Sequence, residues 1–350
     1  MQKKNLNAQT FRMRDINLDA VKGLLILFIV IEHNSLLTDN YLWIRPFSDA
    51  FAAACFLTFT FIWPIKNTVS FTAYCDKHFS YWWPFFLFVT FTSILNLFFY
   101  NVNSIDFFSI QYLKALFISS PSDIKVASGF MYFWFIPCLC ALYVLRFFEQ
   151  KVGSYSFFIT IPLWATIGLI DENILINIPF SLHVIAFIFF LGQLYSRLNG
   201  FLLLRNNKVK YIIVIIFLGF SIATPFVGWE LFLAAGVIPS FKEPLLLLFY
   251  SIFILIAIPG LYHLTYMLPK FLVKFFSYLG GISLTIYLIH PILYILMTQI
   301  LKLINHPELS FLITISGCLI IGYTIEQTST FKKVLFPKTL SSLSKIGKYK

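Results

Sequence analysis

Long apolar stretches separated by short polar segments follow one another along the chain from residue 18 onward. A helix of about twenty apolar residues is long enough to cross a hydrocarbon layer about 30 Å thick. The pattern therefore predicts an all-α, polytopic membrane helix bundle with about ten transmembrane helices. The predicted spans are residues 18-37, 47-65, 80-100, 130-148, 155-170, 178-196, 210-227, 244-263, 276-299 and 311-327.

The domain organisation follows from the same pattern. Residues 1-17 are polar and basic and are predicted to be a cytoplasmic lead-in, residues 18-330 to be one membrane domain, and residues 331-350 to be a basic cytoplasmic tail. We find no internal repeat and no Gly-rich nucleotide-binding loop in the sequence. The five cysteines are odd in number and lie mostly in or beside predicted spans, so the sequence indicates neither a disulfide framework nor a metal site.

The composition agrees with a membrane protein, since 59% of the residues are hydrophobic and only 12% are charged. The net charge of +11 raises the alternative of a nucleic-acid-binding protein. Most of the 26 Lys and Arg residues, however, fall in segments that share one side of the bundle if the N-terminus is cytoplasmic. This placement is the positive-inside signal of a membrane protein, and it predicts that both termini are cytoplasmic. It does not indicate nucleic acid as a partner.

The first predicted span carries ionisable residues on one face. His33 lies eleven positions after Lys22, which at about 100° per residue returns the side chain to within roughly 20° of its starting direction. Asp19 lies roughly 40° from the same line. Ionisable groups at membrane depth normally face a bundle interior or a wet cavity, so this stripe predicts a functional site. The alternative is that Lys22 extends to the near membrane surface and that the polar group Glu32, His33, Asn34 and Ser35 solvates the far end of the helix.

Ser283, Tyr287 and His290 in the ninth predicted span recur at i, i+4 and i+7. This spacing places the three polar side chains on one helical face. Pro291 loosens the helix at the histidine and frees a backbone carbonyl that a polar cavity satisfies. We therefore predict that this face lines the same cavity as His33. The alternative is a hydrogen-bonded packing seam between helices.

The first-span string LDAVKGLLILFIVIEH resembles the first-helix signature of the acyltransferase-3 family of integral membrane O-acyltransferases. In that signature an Asp and then a Lys or Arg precede a His, and the Lys-Gly pair resembles the fucose 4-O-acetylase-like subgroup. The Ser-x-x-x-Tyr-x-x-His-Pro element and the Trp134-Phe135 pair are similar to later elements of the same family. The resemblance implies an integral protein of a bacterial inner membrane.

This resemblance also implies roles for individual residues. His33 is the expected catalytic histidine, and Lys22 is the expected basic residue of the donor site. Lys77 lies in a predicted cytoplasmic loop where the family commonly carries paired arginines, so it is a second candidate for donor binding; the alternative is an ordinary loop lysine. The expected supporting residues are Asp19, Ser283, Tyr287 and His290.

The implied reaction uses acyl-CoA, with acetyl-CoA as the typical donor, and a cell-surface or lipid-linked glycan as the acceptor, with membrane lipids around the protein and no metal. Lys22 would hold a donor phosphate as a point charge, and the pantetheine arm would reach along the helix to His33. His33 would take the proton of the attacking hydroxyl or form an acyl-histidine intermediate. A function of another class, a non-enzymatic glycan or lipid transporter or flippase, would use the same polar stripe as a path.

Overall fold

A computed structural model describes residues 15-41, 44, 52-62, 70-99, 110-129, 131-156, 182-197, 208-224, 244-300 and 306-339. Regular structure in these ranges is helical throughout, in agreement with the predicted all-α class. The α-helices are α1 (Ile16–Glu32), α2 (Ser35–Asn40), α3 (Ala52–Thr58), α4 (Phe71–Phe99), α5 (Ile110–Phe117), α6 (Pro121–Ser128), α7 (Phe135–Val152), α8 (Leu182–Arg197), α9 (Lys210–Ala223), α10 (Pro244–Thr265), α11 (Lys270–Gly281), α12 (Ser283–Ile295), α13 (Pro307–Gln327) and α14 (Ser329–Leu335).

Two of the described helices contain segments long and apolar enough to cross a membrane, Leu248–Thr265 and Pro307–Gln327. The bent pair α11 and α12 adds a third if the two helices count as one span. Shorter apolar helices occur at Ala52–Phe61, Val184–Arg197 and Lys210–Ala223. The number of about ten spans therefore stays a prediction, and most of the predicted span 155-170 lies outside the described residues.

The first predicted span, 18-37, is not one continuous helix. α1 ends at Glu32 with His33 as its C-cap, and a new short helix, α2, begins at Ser35. The side-chain oxygen of Asn34 accepts a hydrogen bond from the backbone N–H of Leu37 at 3.2 Å and so caps α2. Asn is favoured at this position because its side-chain oxygen accepts from a backbone N–H that has no partner within the new helix. His33 consequently lies at a helix break rather than in a regular helix.

Two further predictions are wrong, one about the position of Lys77 and one about the ninth span. Lys77 lies on α4, which begins at Phe71, and not in a loop before the third span. Pro84 lies inside this helix. The ninth predicted span, 276-299, is broken at Ile282, where α11 and α12 meet at a bend of 77°. Long apolar runs conceal such breaks because hydrophobicity continues across them.

Glycines allow α1 and α11 to pack in very close contact. A Cβ atom on Gly23 would lie 1.9 Å from the carbonyl oxygen of Phe276, and a Cβ atom on Gly280 would lie 1.9 Å from that of Asp19. Small residues at a helix crossing permit this backbone approach, which is a common way of packing helices in membranes. The crossing positions Lys22, between Asp19 and Gly23, beside the start of α12.

The beginning of α1 is also held by α10. The hydroxyl of Tyr262 donates a hydrogen bond to Asp15 Oδ2 at 3.0 Å, and the hydroxyl of Thr265 donates one to Asn17 Oδ1 at 3.2 Å. Asp15 in turn caps α1 by accepting from the backbone N–H of Asn17. α1 is therefore anchored at its start by hydrogen bonds and along its length by close packing, which gives a rigid support for its polar side chains.

Candidate active site

The two histidines predicted to share a cavity are in direct contact. Nδ1 of His33, at the end of α1, lies 2.9 Å from Nε2 of His290 on α12. Nδ1 of His290 lies 3.0 Å from the carbonyl oxygen of Ile286 in the preceding turn. His290 is 2% exposed, so its ring is removed from water. A hydrogen-bonded imidazole pair therefore joins the break after α1 to the middle of α12.

The hydrogen bonds of this pair define its tautomers when both rings are neutral. A carbonyl oxygen only accepts, so Nδ1 of His290 donates to Ile286 and Nε2 of His290 is the acceptor. Nδ1 of His33 then donates to His290, which leaves the lone pair of His33 on Nε2. A histidine oriented by a hydrogen bond at one nitrogen and basic at the other has the arrangement required of a general base.

A carboxylate lies beside the basic nitrogen. Oε1 of Glu32 is 4.0 Å from Nε2 of His33. An opposite charge at this distance stabilises the imidazolium that forms when His33 takes a proton. The side chain of His33 is 10% exposed and that of Glu32 is 27% exposed, so Glu32 keeps partial contact with solvent while the histidine is almost buried. Glu32 was not predicted to be a partner of His33, although it directly precedes the histidine in the sequence.

A cavity of about 380 Å³ runs beside the same helices. Lys22, Ile26 and Ile29 line it from α1, and Ser283 and Tyr287 line it from α12. The three α1 residues cover about 10 Å of helix, so the cavity extends from the lysine towards the end of α1. It therefore has a basic end and an apolar middle.

The cavity meets the histidine pair at Tyr287. The ring centroids of Tyr287 and His290 are 5.9 Å apart, and those of Tyr287 and Phe135 are 5.2 Å apart. Tyr287 and Phe135 line the cavity, and neither histidine does. Of the three residues on the predicted face, Ser283 and Tyr287 line the cavity, and His290 belongs to the imidazole pair.

Two lysines from different helices converge on the basic end. Nζ of Lys22 lies 3.3 Å from Oδ1 of Asp19, and its side chain is 36% exposed. Nζ of Lys77 lies 4.7 Å from the ring centroid of Tyr81 and 5.6 Å from that of Tyr143. Cation–π contacts of this kind hold an ammonium group without neutralising its charge. The sequence analysis identified both lysines but missed Tyr143, whose contact with Lys77 depends on the packing of α7 against α4.

Asp19 differs from the other predicted site residues in its position. It pairs with Lys22, but it lines a second cavity of about 710 Å³ on another side of α1, with Lys274, Tyr278 and Glu326. Its contribution to the first cavity therefore passes through Lys22. Among the residues that the structure describes, no group of three or more His, Cys, Asp or Glu side chains is close enough to hold a metal ion.

The fold and the site together define a helical membrane protein with a basic-ended cavity leading to a buried histidine pair. A family model, Acyl_transf_3, described as an acyltransferase domain, matches residues 15–326, and the chain belongs to this family of membrane acyltransferases. No curated protein and no solved structure matches the chain. The fucose 4-O-acetylase-like subgroup stays a prediction.

Proposed function

We propose that this chain transfers an acyl group, acetyl in the typical case, from acyl-CoA to a hydroxyl group of a cell-surface or lipid-linked glycan. The family indicates an acyltransferase. The observation that carries the assignment of the site is the hydrogen bond between His33 and His290, because it places a basic Nε2 on His33. The donor, the acceptor and the residue roles are parts of this proposal.

The donor site of the proposal is the basic end of the cavity. CoA carries phosphates, and the ammonium groups of Lys22 and Lys77 lie where they would bind them as point charges. The apolar middle, with Ile26 and Ile29, suits the uncharged pantetheine arm and the acyl group. The thioester would then reach Tyr287 and, with movement of that ring, His33. We place Asp19 and Ser283 as supporting groups, the first through its ion pair with Lys22.

The chemical step needs no redox partner. The acceptor oxygen attacks the thioester carbonyl carbon while Nε2 of His33 takes the hydroxyl proton. The tetrahedral intermediate collapses with cleavage of the carbon–sulfur bond, and the CoA thiolate leaves and recovers the proton from the imidazolium. His290 orients the ring of His33, and Glu32 stabilises its charged form. An acyl-histidine formed before the acceptor attacks is an alternative route through the same nitrogen.

The proposed membrane orientation is consistent with donor binding at the start of α1 and chemistry at its end. With both termini cytoplasmic in a bacterial inner membrane, the start of α1 and Lys22 face the cytoplasm, where acyl-CoA is found. His33, at the other end of α1, then lies deeper in the bundle towards the opposite surface. The donor would enter from the cytoplasm and the glycan would approach the histidine pair.

The decisive experiment is label transfer by the purified full chain in detergent. Acetyl-CoA labelled in its acetyl group is incubated with the protein and with lipid extract from the producing cells, and label in the extract is measured. The proposal predicts covalent label in the extract with the parental chain and loss of transfer with His33→Ala. A glycan or lipid transporter, the rival function, would leave the label on CoA.

A further inference from the structure

Asn34, the residue after the proposed base, has a buried donor group that its structural role does not use. It is 2% exposed and lies at the break between α1 and α2. Its Oδ1 accepts from the backbone N–H of Leu37 at 3.2 Å, which assigns Nδ2 to the other arm of the amide. Nδ2 is buried and has no hydrogen-bond partner within the described part of the chain.

An unsatisfied buried amide N–H₂ destabilises a protein, and such groups in native structures call for an explanation. Capping of α2 does not supply one, because Ser or Asp caps a helix equally well with an oxygen alone. Asn is therefore present at a cost that the cap itself does not require. A group that accepts hydrogen bonds and arrives only with the substrate would explain the residue.

We propose that Nδ2 of Asn34 donates a hydrogen bond to the acyl carbonyl oxygen as it becomes an oxyanion in the transition state. This inference rests on the proposed acyl transfer and assigns a catalytic residue to it. Asn34 directly follows His33 at the break after α1, so the proposal places its amide beside the thioester on which His33 acts. A donor aimed at a developing negative charge in a site removed from water contributes more to the transition state than to substrate binding.

The surroundings hold this amide in place. His33 is bound to His290, and the hydroxyls of Ser35 and Tyr294 lie 2.5 Å apart, so both neighbours of Asn34 are attached to α12. The hydroxyl of Thr38 donates to the backbone carbonyl of Asn34 at 3.3 Å. A donor held on both sides before the substrate arrives has the preorganisation that transition-state stabilisation needs.

Two variants separate the donor from the cap. Asn34→Ser keeps a neutral cap for α2 and removes the amide, and Asn34→Asp keeps the shape and the cap but replaces the donor with a carboxylate. Asn34→Ala removes both the amide and the cap, so its loss of stability relative to Asn34→Ser measures the contribution of the cap. Ser310→Ala is the matched control, because Ser310 also carries a buried side-chain oxygen without a partner among the described residues, in a helix outside the site.

The test uses membrane vesicles from cells that produce the full-length chain, supplied with acetyl-labelled acetyl-CoA, with turnover, half-saturating donor concentration and thermal stability measured. For Asn34→Ser and Asn34→Asp we expect turnover to fall about 100- to 1,000-fold, the usual loss of an oxyanion donor, with the half-saturating donor concentration within about threefold of the parental value. Asn34→Ser should unfold at or above the parental temperature, and Ser310→Ala should keep the parental turnover.

Asn34→Ser with parental turnover would overturn the inference, and so would a loss of thermal stability that accounts for its lost activity. A rise confined to the half-saturating donor concentration would likewise contradict a transition-state role. These outcomes are distinct from failure of the proposed function, in which the parental chain transfers no label and His33→Ala makes no difference.

Discussion

The two ends of α1 handle polar groups in opposite ways. At the start, charged Lys22 and Asp19 form an ion pair, and the lysine keeps 36% of its side chain exposed. At the end, His33 meets His290 through a hydrogen bond between rings that are nearly or fully buried. A charge needs water or a counter-ion, whereas a neutral imidazole needs only hydrogen-bond partners. One helix therefore presents a partly exposed charge at its start and a buried imidazole at its end, the two groups that the proposal uses for donor binding and proton transfer.

Removal of the proposed base should have the largest effect. His33→Ala should lower turnover about 100- to 10,000-fold, the usual loss of a general acid–base group. Acyl transfer in membranes measures it, after immunodetection has shown normal abundance. His306→Ala is the matched control, since His306 is exposed at the start of α13. Parental activity in His33→Ala would remove the assignment.

Loss of the partner ring should have a smaller effect. His290→Ala removes the acceptor for Nδ1 of His33, and we expect a turnover loss of about 10- to 100-fold, as for partners that orient a functional histidine. His290→Gln should recover part of the activity, because its amide can accept from His33 and donate to the carbonyl of Ile286. Equal losses in the Ala and Gln variants would argue against a positioning role. The half-saturating acetyl-CoA concentration should not change in either.

The packing at the start of α1 predicts an effect on stability. Gly23→Ala places a methyl group against the carbonyl of Phe276, and overpacking of this kind costs about 1 to 3 kcal/mol. Gly219→Ala is the matched control, because a Cβ there meets nothing within 4 Å. Thermal unfolding in detergent should show a lower midpoint for Gly23→Ala and an equal or higher one for Gly219→Ala. Equal unfolding midpoints would show that the crossing of α1 and α11 accommodates the added methyl group without loss of stability.

The smallest expected effect concerns Lys77. Lys77→Met should raise the half-saturating acetyl-CoA concentration about threefold to tenfold with turnover nearly unchanged, because a partly solvated charge contributes modestly. Lys125→Met, at an exposed position on α6, is the control. A fall in turnover without a change in donor saturation would place Lys77 outside donor binding.

The sequence allowed most of the candidate site residues to be found, but not the helix breaks near them. Lys22 and His33 stand out because charge and imidazole are rare in an apolar run, and the spacing of Ser283, Tyr287 and His290 gives their common face. The break at Asn34 depends on one side-chain hydrogen bond, which hydropathy does not register.

Sequence reasoning brought His33 and His290 together, but it did not predict other contacts between distant parts of the chain. The pairing of Lys77 with Tyr143 and the position of both histidines outside the lining of the cavity depend on how helices pack. The position of Asp19 on a second cavity is a further example. A periodic pattern indicates which residues share a face, but it does not indicate which neighbour that face meets.

The central claim, that the start of α1 binds the donor and its end performs the chemistry, is tested most directly by measuring acetyl-CoA affinity and single-turnover rate in Lys22→Ala and His33→Ala side by side. Lys22→Ala should bind acetyl-CoA about tenfold or more weakly and react at a near-parental rate once saturated, and Lys22→Arg should recover part of the affinity. His33→Ala should bind acetyl-CoA with parental affinity and lose the reaction. An abundant His33→Ala protein that transfers acetyl groups at the parental rate would contradict the account.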